Sequence, residues 1–246
     1  MFAFKIWSKF GAFKDPMTIS QNITLNFPPK TAVAGMMAAI LGIDEYLKDD
    51  GFNSFKYSVV INSGTSKKSF SQNYINDYTK KTNSHLANLQ MLNFKAIKDG
   101  LRDTKAPQKP INRELLINPA FTIFIDGFEF EDEIVKSLKS RLLKYNLYMG
   151  NSEFSANFSF LPLKSFLMKK FDFVSLDSFL EQSLVESIEF DDNVFYKNTL
   201  ITTKLNHKRS PIKSINLVHS NSKITAKNIE AYEILTSEGK YFCRFV

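Results

Sequence analysis

One cysteine, Cys243, and three histidines, His85, His207 and His219, are all that the 246 residues hold of the two commonest metal-ligating types. A single cysteine excludes an intramolecular disulfide and a cysteine-rich zinc site. It also fits residence in the cytoplasm. The histidines fall in separate regions without ligand spacing, so no metal is expected. No run of eighteen apolar residues occurs, so no membrane span is expected. The start Met1-Phe2-Ala3-Phe4-Lys5 has no basic segment leading into an apolar run, and no signal peptide is expected. A phosphate-binding P-loop and a G-x-G-x-x-G are both missing, and no Ser/His/Asp or Cys/His set stands out. No cofactor is therefore expected. Internal repeats and low-complexity segments are also absent.

What the chain does contain is phenylalanine and lysine. Twenty-four Phe and a hydrophobic content of 43% exclude a disordered chain and suit strands. The formal net charge is +7, unevenly placed: residues 64–118 carry ten Lys or Arg against four acids. Residues 1–30 add Lys5, Lys9, Lys14 and Lys30 against Asp15 alone, whereas 119–161 have an excess of two acids. Such a concentrated basic excess is the footprint of a polyanion-binding surface, although a solvated basic face gives the same composition.

Residues 27–44 form the stretch that organises the rest. Pro28 and Pro29 stop a strand and start a helix, with the cap expected at Lys30 or Thr31, and Gly42 is placed to end it. No charge intervenes between Lys30 and Asp44, so burial on most sides is expected. Gly35, with Ala32, Ala34, Ala38 and Ala39, leaves a flank almost without side chains. Either a sheet packs beneath that flank, or an anionic ligand approaches the amino end of the helix.

Taken in order, Phe2, Phe4 and Ile6 alternate as a strand with one face buried, and Ile19, Ile23 and Leu25 suggest another short strand. After the helix, residues 55–61 read as a strand. Residues 65–118 break the rhythm with Phe70, Tyr74, Tyr78 and Phe94 among Lys67, Lys68, Lys80, Lys81, Lys95 and Lys98. Rings that stack on bases and amines that meet phosphates suit single-stranded nucleic acid. Residues 120–125 form an apolar strand, and 131–145 a helix with early acids and later bases. Phe154, Ala156, Phe158 and Phe160 alternate as a fourth strand. The order is βαββαβ, which predicts an α+β, ferredoxin-like or RRM-like domain over 1–161 with a long insertion between strands 2 and 3. Residues 162–246 read as a smaller, mostly β domain, with strands near 195–202, 215–219, 232–235 and 241–245. The acids of 126–133 are those of a helix start. His207-Lys208-Arg209 is the one neighbourhood able to supply an acid–base pair, and a basic loop explains it equally well.

Four motifs in order carry a family resemblance. They are Lys9-Phe10-Gly11-Ala12-Phe13, the 27–42 stretch, Ile111-Asn112-Arg113-Glu114-Leu115-Leu116-Ile117-Asn118-Pro119-Ala120-Phe121, and Tyr148-Met149-Gly150-Asn151-Ser152-Glu153-Phe154. Together they resemble the CRISPR-associated Cas-five family of the RAMP superfamily, and length and Phe/Lys content look most like its subtype I-B branch. The resemblance implies a non-catalytic subunit of the Cascade surveillance complex that caps the 5′ handle of crRNA. The handle would be held by Lys9, Phe10, Lys14, Lys30, Thr31, Gly35, Arg113, Met149, Gly150, Asn151 and Ser152. The insertion, about 65–118, would be the family's thumb, with Lys67, Lys68, Tyr74, Tyr78, Lys80 and Lys81 reaching a partner. Implied partners are the Cas-seven backbone subunit, the Cas-eight large subunit, a nearby Cas-six repeat endonuclease and, indirectly, target DNA. The lysines, Arg113 and free backbone N–H groups would meet phosphates and splayed bases. A subtype I-C relative cuts precursor crRNA with a Tyr, Lys and His set. The region before the second helix here lacks an adjacent Lys-His pair, which argues against that activity. A generic RRM-like binder is a third reading, without the RRM's stacking signature on its strands.

Overall fold

A computed structural model describes residues 1–18, 22–63, 66–75, 80–95 and 108–246. It is α+β, with few helices and antiparallel sheets. The central sheet has the order β3-β6-β1-β7, built from β1 (Phe2–Trp7), β3 (Lys56–Ile61), β6 (Ala120–Asp126) and β7 (Asn157–Leu161). Every neighbouring pair in it is antiparallel. Phe2, Phe4 and Ile6 point into the main core, as their alternation requires. The reverse face is also covered at one end: Ala3 and Phe124 pack with Ile234, Cys243 and Phe245 from the end of the chain.

Helix α1 (Lys30–Leu41) starts at Pro29 rather than at Lys30 or Thr31, and no side chain caps it. Proline fixes the entry angle, and its carbonyl accepts from the N–H groups of Ala32 and Val33. Gly42 ends the helix in the left-handed region, φ 77°, as the sequence predicts. The short α2 (Gly51–Ser54) leads into β3. The helix expected at 131–145 is shorter, α4 (Glu131–Ser140), preceded in the chain by α3 (Lys80–Gln90). Arg141 takes a left-handed φ of 57° and bonds back to Leu138 and Ser137, which stops α4 without a glycine. The chain then crosses to α1, where Lys144 and Tyr145 donate to the carbonyls of Ile40 and Ala39.

The region expected to be irregular contains β4 (Lys67–Ile75), α3 and β5 (Gln108–Ile117). β4 and β5 form an antiparallel ribbon, and β2 (Phe10–Gly11) joins its base in the order β2-β5-β4. Tyr78 lies outside the described residues, and Lys80 and Lys81 open α3. The strand expected around Ile23 and Leu25 is only a pair of bridges, Lys14 to Thr24 and Asn22 to Arg113, and Ile19 lies outside the described residues.

Beyond residue 162 come β8 (Leu163–Leu176), β9 (Leu180–Glu181), β10 (Tyr196–Leu205), β11 (Pro211–Ser220), β12 (Ile224–Thr236) and β13 (Lys240–Cys243), in two sheets ordered β10-β11-β9 and β13-β12-β8. β8 was not expected. Phe166, Leu167, Met168 and Phe173 are exposed on both of its faces, so no period-2 pattern marks it. The main core continues into this part: Phe179, Ile201 and Leu217 pack with Phe27, Met37 and Tyr57.

His219 sits at that junction, 5% exposed, with Nε2 3.1 Å from Thr199 Oγ1 and its ring edge-on to Phe27. Burial, with Lys197 and Lys67 nearby, pushes its pKa down to about 4. The folded chain therefore holds the neutral imidazole while the unfolded chain takes up a proton near pH 6.5. Stability is expected to fall as pH drops from about 6.5 to 4, by up to about 3 kcal/mol from this group. Urea unfolding at pH 7 and pH 4.5 measures it, and His219→Gln should show a shallower pH slope than the unsubstituted chain.

Candidate nucleic-acid interface

The four sequence motifs, far apart along the chain, converge beyond the end of β1 and the start of β6, the two middle strands of the central sheet. β2 pairs with the end of β5, and the backbone N–H of Asn118 donates to the carbonyl of Lys9. One residue on, Ala12 N–H donates to the carbonyl of Met149 at 3.0 Å. Gly150 follows at φ 86°, and a Cβ placed on it would lie 1.9 Å from the carbonyl oxygen of Ala12. Only glycine fits there, because backbone rests on backbone and the conformation is left-handed. The loop closes on itself through Met149 N–H to Phe154 O and Phe154 N–H to Asn151 O.

Arg113 locks this loop to the ribbon. It is buried, with Nη1 paired to Glu153 and its guanidinium 5.1 Å from the Phe154 ring centroid. Hydrogen bonding to Arg113 holds the Glu153 carboxyl below its ordinary range. Arg113 was expected to meet phosphate directly. Its charge is instead spent on Glu153, so it positions the loop. Met149, also expected at the interface, is fully buried and commits its N–H and carbonyl to the fold. Phe10 is half-buried, edge-on to Phe70 and tilted against Phe154.

Two clefts border the loop. The larger, about 180 Å³, has Gly35 and Thr31 of α1 on one wall and Gly150, Tyr148, Tyr46 and Arg209 around them. Ala34 and Ala38 of the small-residue flank pack into the main core over the sheet, whereas Gly35, Ala32 and Ala39 border this cleft. A Cβ on Gly35 would meet only the Tyr46 hydroxyl, at 3.5 Å. Burial raises the Tyr46 pKa, with Arg209 opposing and Tyr148 adding, so Tyr46 stays a neutral phenol. The smaller cleft, about 110 Å³, is lined by Ala12, Lys14, Asn22, Arg113, Glu114 and Asn151. Lys9, Lys14 and Ser152 are exposed, and the N–H groups of Asn151 and Ser152 have no hydrogen-bond partner among the described residues.

Lys30 does not join this set; its side chain is buried against Phe55 and lines a different cleft. On the ribbon, Lys67 is held inside the chain by Thr24 O and Glu114, while Lys68 is exposed over the Phe70 ring. Tyr74 lies on β4. Tyr46, Tyr148 and Arg209 were not singled out as interface residues in the sequence. Tyr148 abuts the glycine loop and had a local signal. Arg209 had none, because it arrives from the turn between β10 and β11.

The family described as CRISPR-associated protein (Cas_Cas5) matches residues 1–165. The chain belongs to this Cas-five family. Among curated proteins none matches it. Among solved structures, a chain of one described as "CRISPR RNA-guided surveillance complex" is 12% identical, with a TM-score of 0.54, covering 92% of this chain and 91% of that one. A chain of "Cryo-EM structure of the Type III-B Cmr-beta bound to cognate target RNA and AMPPnP, state 1" is 14% identical, with a TM-score of 0.51, covering 91% and 86%. At these identities the two likenesses concern the fold of the Cas-five chain. Among the described residues, no His, Cys, Asp and Glu cluster to hold a metal, and no helix is long and apolar enough to cross a membrane.

The contact between Gly150 and Ala12 makes a direct prediction. Gly150→Ala should destabilise the protein by more than the roughly 1–2 kcal/mol of a left-handed alanine, because the new methyl group also displaces the loop. Gly127→Ala is the control, since Gly127 has φ 70° and open space where a Cβ would go. Denaturant unfolding of the two variants should show Gly150→Ala as clearly the worse.

Proposed function

We propose that this Cas-five protein is a non-catalytic subunit of a type I CRISPR surveillance complex, most like subtype I-B, that holds the 5′ handle of crRNA in the cytoplasm. The observation that carries this reading is the cleft where α1, the glycine loop and Arg209 meet. Its floor is bare helix backbone at Gly35, its sides are two phenol rings, and its rim is cationic. Single-stranded RNA exposes base faces that stack on such rings and base edges that accept the Asn151 and Ser152 N–H groups. Arg209, Lys14 and Lys9 would meet phosphates, which fixes position without reading sequence.

The central sheet with α1 and α4 is read here as the ferredoxin-like βαββαβ unit, and the β4–β5 ribbon with α3 as the thumb. Similarity in fold to a chain of an RNA-guided surveillance complex supports membership of such an assembly. The thumb would reach the Cas-seven backbone subunit and another surface the Cas-eight large subunit, with the Cas-six endonuclease nearby and target DNA held indirectly. Cleavage of precursor RNA finds little support in the cleft. Tyr46 is a neutral phenol there, and among the described residues no histidine lines the cleft beside it.

Three phosphate contacts give a slope of log affinity against log salt of about −2, so affinity for a handle oligonucleotide should drop roughly twentyfold between about 50 and 200 mM salt. Arg209→Gln should weaken binding and flatten that slope by about 0.7. Affinity independent of salt would rule the reading out. Precursor repeat RNA incubated with the protein in EDTA should remain whole; one specific cut would make it an endoribonuclease.

A further inference from the structure

Lys30 opens α1, yet its side chain leaves the Gly35 cleft and enters another, of about 420 Å³, between α1, α2 and the β10–β11 hairpin. Lys204, Lys213, Asn53 and Thr203 line it as well, and so do Glu181 and the carboxy-terminal Val246. Lys30 is 8% exposed, and among the described residues its ammonium has no hydrogen bond or ion pair; its Nζ lies 4.9 Å from the Phe55 ring centroid. The acids nearby are otherwise engaged. Glu181 binds Arg244 through both oxygens, at 3.2 and 2.9 Å. Asp50 reaches only Lys204, at 3.4 Å, and its side chain is 92% exposed. The Val246 carboxyl accepts from Tyr57 N–H and forms no ion pair among the described residues. Lys213 has no ion pair among them either, and is exposed at the mouth.

A buried ammonium with two more beside it and no ion-pair partner of its own among the described residues is costly unless something negative completes it. Burial, then Lys213 and Lys204, lower the Lys30 pKa to about 8, so it is still mostly charged at neutral pH. The ring of Phe55 offsets part of the cost. We infer that this cleft is an oxyanion site that takes a phosphate group, with Lys30 as the buried anchor and Lys204 and Lys213 as the rim. Phosphate suits the lysine side of the site, because three ammonium groups provide several donors and Glu181 on the same wall is already neutralised by Arg244. The group is either one phosphodiester of a nucleic-acid strand or a free phosphate. The site shares no lining residue with the cleft around Gly35, so it stands or falls apart from handle binding.

Calorimetric titration of the full chain with inorganic phosphate, and separately with a short single-stranded oligonucleotide, tests this. Phosphate should bind saturably, Lys213→Met should weaken it at least fivefold, and Lys30→Met, which keeps the apolar stem on Phe55, should abolish it. If the oligonucleotide is weakened by the same substitutions, the phosphate belongs to a strand; if it is not, the site takes free phosphate. No saturable phosphate binding, or a Lys213→Met protein that titrates like the unsubstituted chain, would overturn the inference. Lys213 lies on the surface, so that variant decides the matter even if Lys30→Met does not fold.

Discussion

Backbone meets backbone at Gly150 and Ala12, and the interface depends on that contact. With any side chain at residue 150 the loop would have to withdraw from Ala12, whose carbonyl would lie 1.9 Å from the new Cβ. Withdrawal would break the Ala12 to Met149 hydrogen bond and loosen the Arg113 to Glu153 pair behind it. Those links make the loop an extension of β2 and β5, so Gly150 and Asn151 face their clefts from a fixed support. A rigid support of this kind lowers the entropy cost of holding a flexible single strand.

Helix α1 borders two separate clefts. Along its flank, Gly35 leaves room for Tyr46 and a cleft beside the helix. At its start, Lys30 turns the other way, toward Phe55 and the lysines of the β10–β11 hairpin. That hairpin contributes to both places: Arg209 at its turn lines the first cleft, and Lys204 and Lys213 on its strands line the second. Ile201 and Leu217 hold it in the main core, so the backbone that carries these cations is set by packing.

Local signals in the sequence proved readable, and distant ones did not. The alternation of Phe2, Phe4 and Ile6 gives β1, and Pro28, Pro29 and Gly42 bracket α1, because each depends on neighbouring residues alone. The end of α4 was misjudged, since Leu142 and Leu143 continue the helical spacing while Arg141 leaves it through a left-handed turn. β8 escaped notice because its exposed Phe and Leu lie on both faces and give no period. The glycine loop was legible as a motif, but the burial of Met149 and the pairing of Arg113 were not, as both depend on what β2 and Glu153 bring across space. The direction of Lys30 depends on Phe55 and a hairpin more distant still.

Arg209 shows why a remote residue can nonetheless be a fixed one. Asn206 organises its turn, accepting from Lys208 and Ser210 N–H at its side chain and from Arg209 N–H at its carbonyl. Arg209 itself sits at φ 61°, a conformation that those bonds hold in place. The guanidinium is carried on a closed turn at the end of a hairpin anchored in the main core, opposite the small-residue flank of α1. A strand lying in the cleft would thus meet a cation placed before it arrives, with Tyr46 and Tyr148 beside it. The part of the chain beyond residue 162 consequently shapes the candidate interface as much as α1 does, because removing its hairpin would leave the Gly35 cleft without a cationic wall.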